Sequence, residues 1–65
     1  MEFSERLKIL REMRGWNQAQ LARKTGCVPS LVLCWETGKR VPGYDSLHKL
    51  QKALGISWDA LLGKP

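Results

Sequence analysis

At 65 residues the chain is expected to form one domain, residues 1–65; catalytic domains usually run to roughly 100–200 residues, so a two-domain enzyme is excluded. Hydrophobic residues make up 43%, three Trp among them, which is material for an ordinary core, whereas Cys27, Cys34 and a lone His48 supply neither a disulfide framework nor a zinc ligand set, and no metal or cofactor is expected. Eleven Lys and Arg against six Asp and Glu leave a net charge of +5, which points to a polyanionic partner, nucleic acid or an anionic membrane surface; no run nears the roughly 18 apolar residues of a membrane span, and the expected compartment is the cytoplasm, with reduced thiols.

Glycines about a dozen residues apart punctuate the chain into pieces whose apolar residues recur at three and four, the period of short helices. The first helix is expected over 4–14, with Phe3, Leu7 and Leu10 on one side, Ser4 as its cap and Glu5 in its first turn. The second is expected over 18–25, capped by Asn17 with Gln20 as its capping-box partner. The third is expected over 29–37, with Pro29 in the first position, where a missing N–H costs nothing. Leu31, Leu33 and Trp35 alternate as a strand would, but Val32 and Cys34 fill the gaps. The fourth is expected over 44–54 on Leu47, Leu50 and Leu54, and the fifth over 58–62 on Trp58, Leu61 and Leu62, capped by Ser57 with Asp59 near its start. Gly15, Gly26, Gly38 and Gly55 sit where a left-handed residue ends a helix. The expected class is all-α, with five helices and no sheet.

The second and third helices are separated only by Gly26-Cys27-Val28 and are followed by a basic Gly38-Lys39-Arg40 turn. Two short helices joined so tightly cross steeply and cannot bury their apolar faces alone, so the flanking helices must complete the core. Leu21, Ala22, Val32 and Trp35 are expected to face inward; Pro29, Ser30, Leu33 and Cys34 are expected to face outward. An outward helix face bordered by basic residues suits the DNA major groove, which admits one helix.

Six segments in order carry a resemblance that covers nearly the whole chain: Phe3-x3-Leu7-x2-Leu10-Arg11, Trp16-Asn17-Gln18-x2-Leu21-Ala22, Thr25-Gly26, Val32-x2-Trp35-Glu36-x-Gly38-Lys39-Arg40-x-Pro42, Leu47-x2-Leu50-x2-Ala53-Leu54-Gly55-Ile56 and Leu61-Leu62. Together they resemble the lambda-repressor-like helix-turn-helix domain of Cro and the phage repressors. The resemblance implies double-stranded DNA as partner, bound as a monomer or homodimer. The residues themselves offer no nucleophile with an evident general base and no phosphate-binding glycine loop, so no enzymatic activity is expected, and no helix sets its Lys and Arg opposite a wide apolar face, so no membrane role is expected. Residue by residue, the resemblance implies phosphate contacts from Asn17, Gln18, Lys39, Arg40 and Tyr44. Base contacts fall to the recognition segment: Val28, Pro29, Ser30, Leu31, Leu33 and Cys34. Arg11 and Glu36 match a structural ion pair of the family.

The recognition segment departs from the family, whose members usually begin it with Ser or Thr and carry polar side chains on its outer face. Here only Ser30 retains a hydrogen-bonding side chain, and Val28 cannot cap, at a cost of about 1 kcal/mol. Leu31, Leu33 and Cys34 would form an exposed apolar stripe. Such a stripe can read thymine methyls, serve as a protein-binding surface in place of DNA, or mark a deliberately altered helix; the intact residues Gln18, Lys39 and Arg40 favour the first. Trp16, Trp35 and Trp58 read as core rather than stacking platforms. Arg6, Lys8, Arg14, Arg23, Lys24, Lys49 and Lys52 read as solvated helix faces, and His48 as a surface or boundary side chain.

Overall fold

The computed structural model describes residues 2–63. Five helices follow one another, α1 (Phe3–Met13), α2 (Gln18–Thr25), α3 (Pro29–Thr37), α4 (Tyr44–Leu54) and α5 (Trp58–Leu62), with no strand among the described residues. The expected spans hold except at α1, which starts and ends one residue earlier: Glu2 stands at its N-cap without a side-chain bond, Ser4 lies inside the first turn rather than capping it, and Arg14 is the C-cap. Starting at Phe3 places its ring on the same face as Leu7, four residues on, and Phe3 packs against the core. Packing outweighs a cap there.

The other ends follow local chemistry. Asn17 Oδ1 accepts the Gln20 N–H at 2.8 Å and Gln20 Oε1 accepts the Asn17 N–H at 2.8 Å, a complete capping box for α2. Gly26, at φ 73°, ends α2 in the left-handed conformation that turns the chain toward α3. The Ser57 hydroxyl accepts the Ala60 N–H at 3.1 Å and starts α5. Gly55 is required twice over: its φ is 64°, and a Cβ there would stand 3.2 Å from the guanidinium of Arg14, which donates to the Leu54 carbonyl at the end of α4. Arg14 is exposed, as expected, and serves in addition as a helix-end ligand.

Leu7, Leu21, Ala22, Val32, Trp35, Leu50, Leu54 and Leu61 form the buried core, with Leu10, Trp16, Leu47, Ile56 and Trp58 packed around it. Each fully covered leucine contributes about 1.5–3 kcal/mol relative to an exposed one. Leu62 does not join Trp58 and Leu61 in this layer; it is exposed. Packing runs α1 on α3 and α5, and α2 on α3 and α4, so α3 is braced from two sides. No helix among the described residues is long and apolar enough to cross a membrane.

Candidate nucleic-acid interface

A buried ion pair fixes the attitude of α3. Arg11 donates through Nε to Glu36 Oε2 at 2.7 Å and through Nη2 to Glu36 Oε1 at 3.0 Å, while its Nη1 donates to the Trp16 carbonyl at 2.7 Å. The two side chains are only 9% and 3% exposed. The hydrogen bond to Glu36 holds the Arg11 guanidinium above the ordinary arginine value; burial opposes the shift, and the charges of Glu36 and Glu12 reinforce it. Gln18 Nε2 also donates to Glu36 Oε1, at 3.2 Å, so one carboxylate ties the end of α3 to α1 and to the first residue of α2. The pairing expected of Arg11 and Glu36 is present, and Glu36 has no oxygen directed at a ligand.

Helix α3 divides into two faces. Val32 and Trp35 are buried. Leu31 lies four residues before Trp35, hence on the same side, and packs half-buried against the core; the expectation that it joins an exposed apolar stripe is corrected. Val28 and Leu33 are exposed at 58% and 47%, Pro29 and Ser30 are exposed, and Cys34 is half-buried. The outward face therefore runs Val28, Pro29, Ser30 and Leu33, with Cys34 at its margin. Thr37, which sequence reasoning passed over, is exposed on the same side, and its hydroxyl donates to the Leu33 carbonyl at 2.9 Å; its spacing of seven residues from Ser30 and four from Leu33 was the signal for it.

The loop after α3 is held rather than free. Gly38 takes φ 79° at the end of α3, the Arg40 N–H donates to the Cys34 carbonyl at 3.2 Å, and Pro42 is buried. Lys39 and Arg40 are thereby presented to solvent. Helix α4 begins at Gly43 with no side-chain cap, leaving the N–H groups of its first turn able to meet an anion. Tyr44 heads this helix at 73% exposure. Its ring lies nearly parallel to those of His48 and Trp58, with centroids 6.3 and 6.1 Å away, so it is steadied from α5 while its hydroxyl end is exposed.

Two expected phosphate ligands carry structural duties as well. The Asn17 side-chain oxygen is committed to the capping box, leaving its NH2; one Gln18 amide N–H is committed to Glu36, leaving the other. Cys27 and Cys34 are free thiols, Cys27 Sγ lying 3.1 Å from Thr25 Oγ1. Among the described residues no cluster of His, Cys, Asp or Glu could hold a metal.

A helix-turn-helix family model matches residues 7–61. The chain belongs to the helix-turn-helix family. Its fold is the lambda-repressor-like form: the P22 c2 repressor, solved in complex with a synthetic operator, superposes with a TM-score of 0.91 at 29% identity, covering 100% of this chain and 98% of that one. The restriction-modification controller protein C.AhdI from Aeromonas hydrophila superposes with a TM-score of 0.88 at 35% identity, covering 92% and 91%. Among curated helix-turn-helix relatives, the transcriptional activator BcrR of Enterococcus faecalis is 36% identical over 62 residues, 95% of this chain and 30% of that protein. The SPbeta prophage-derived regulator YonR of Bacillus subtilis is 38% identical over 60 residues, 92% of this chain and 56% of that protein. This chain thus spans about a third to a little over half of the curated relatives' length.

Proposed function

We propose that this helix-turn-helix chain binds double-stranded DNA with sequence preference, laying the outward face of α3 in the major groove. The observation that carries this reading is the solvent-facing surface formed by Pro29, Ser30 and Leu33, flanked by Lys39, Arg40 and the uncapped start of α4, in a fold shared with a repressor solved on its operator. Ser30 offers a hydroxyl to a base edge, and Val28, Pro29 and Leu33, with Cys34 at the margin, offer apolar contact to thymine methyls. Lys39, Arg40, Tyr44 and the free NH2 groups of Asn17 and Gln18 meet phosphates on either side. Leu31 serves the core and is left out of the contact set.

The same reading makes the chain a transcription regulator rather than an enzyme, acting in the cytoplasm, as a monomer or as a homodimer on paired half-sites roughly one helical turn apart. A protein-docking role for the outward face is less well supported, because the packing of Leu31 narrows the apolar area available.

The test is binding to a randomised duplex pool at two salt concentrations. Binding at low salt is expected to fall steeply as salt rises, since Ser30 alone offers a side-chain hydrogen bond to a base and the charged contacts go to phosphate. Lys39→Ala and Arg40→Ala are expected to weaken binding evenly on every sequence, whereas Leu33→Ser is expected to change which sequences are retained. Absence of binding at low salt overturns the proposal, and equal loss on all sequences for Leu33→Ser overturns the placement of α3.

A further inference from the structure

Four cations that sequence alone assigns to separate solvated helix faces converge in the folded chain. Arg23 and Lys24, from the last turn of α2, and Lys49 and Lys52, from α4, line one open groove of about 560 Å³ together with Thr25, Gly26 and Ala53. None of the six Asp and Glu residues lines it. None of these four cations is within ion-pair distance of a carboxylate among the described residues; the one such pair there is Arg11 with Glu36. Lys24 is further oriented by Trp16, whose ring centroid lies 5.4 Å from its ammonium nitrogen. Like charges gathered around a concavity repel one another and focus a positive potential into it. An anion entering the groove relieves that repulsion.

The groove is separate from the proposed DNA surface. Gln18 opens α2 and Tyr44 opens α4, whereas the groove cations lie at the far end of α2 and in the later turns of α4. At 1.5 Å per residue, Thr25 stands roughly 10 Å along its helix from Gln18, and Lys52 roughly 12 Å from Tyr44. The two sites can be filled together.

We propose that this groove binds a small, multiply phosphorylated anion: an inorganic oligophosphate or the phosphate tail of a nucleotide. Its volume lies within the roughly 300–1,000 Å³ of small-ligand sites. Linked phosphates concentrate more negative charge per unit length than an acidic peptide, which suits four cations around so small a space. A peptide would also need backbone partners, and the N–H of Gly26 in the groove lining is already bonded to the Arg23 carbonyl at 3.3 Å. No aromatic residue lines the groove, so charge is read and a nucleobase is not.

The experiment is titration of the full chain with tripolyphosphate, following backbone amide shifts and affinity. Shifts are expected at residues 23–26 and 49–53, with affinity falling as salt rises. Lys49→Ala with Lys52→Ala is expected to weaken tripolyphosphate binding about tenfold while leaving duplex binding and the melting temperature intact. Lys39→Ala with Arg40→Ala is expected to do the reverse, which separates this site from the proposed DNA surface. A nucleoside triphosphate binding as tightly as tripolyphosphate assigns the tail alone as the recognised part; a nucleotide binding tenfold or more tightly overturns readout by charge alone. Unchanged affinity in the Lys49/Lys52 variant, shifts confined to residues 28–44, or tighter binding of a polyglutamate peptide overturns the proposal.

Discussion

Helices α2 and α3 are neighbours of nearly equal length built on opposite plans. Helix α2 is secured locally: a capping box starts it, a left-handed glycine ends it, and Arg23 and Lys24 complement the negative end of its dipole. Helix α3 shares only the left-handed glycine end, at Gly38, and Pro29 in its first position; it has no side-chain cap and no charged residue in its first or last turn suited to the dipole. It is held from outside by the burial of Val32 and Trp35 and by the fork of Arg11 on Glu36. The difference shows how a surface helix can carry side chains chosen for contact rather than for helix stability: its neighbours provide the order that its uncapped start lacks.

Removing the outside support has the largest effect. Trp35→Ala is expected to destabilise the chain by about 4 kcal/mol, read as a fall in the denaturant midpoint, with α3 signals lost along with the global fold. Arg11→Met strands the Glu36 carboxylate in a covered site and is expected to cost about 3 kcal/mol; a loss below about 1 kcal/mol, the level of an exposed pair, would show that packing alone holds α3. Exchanging the local plans gives the smallest effects. Asn17→Ala is expected to cost about 1 kcal/mol by opening the capping box, while Val28→Ser is expected to gain about 0.5–1 kcal/mol by supplying α3 with a cap. If Val28→Ser gains stability while its preferred duplex sequences shift, α3 forgoes a cap in favour of contact.

Most of the architecture was legible in the chain because its signals are local. Asn17 with Gln20, Ser57, Pro29 and the left-handed glycines mark helix ends within three or four residues, and these ends stand where expected. Ser4 misled because cap chemistry is visible in a sequence, whereas the pull of Phe3 toward the core depends on helices far along the chain. Leu31 misled for a related reason: reading the recognition segment as one outward run grouped it with Leu33, although a helix sends the two side chains to different sides. Arg14 looked like any exposed cation until the end of α4 was brought beside it. The groove cations were equally hidden, since Arg23 and Lys24 lie some 25 residues from Lys49 and Lys52 and only the packing of α2 on α4 unites them.

The bond from Arg14 to the Leu54 carbonyl joins groups 40 residues apart, between the last turns' surroundings of the first and fourth helices. Fraying of α4 at that end releases the Arg14 side chain that follows α1. In a chain with so little interior, that bond ties the segment just beyond α1 to the last turn of α4, and Arg14→Ala is expected to quicken amide exchange there.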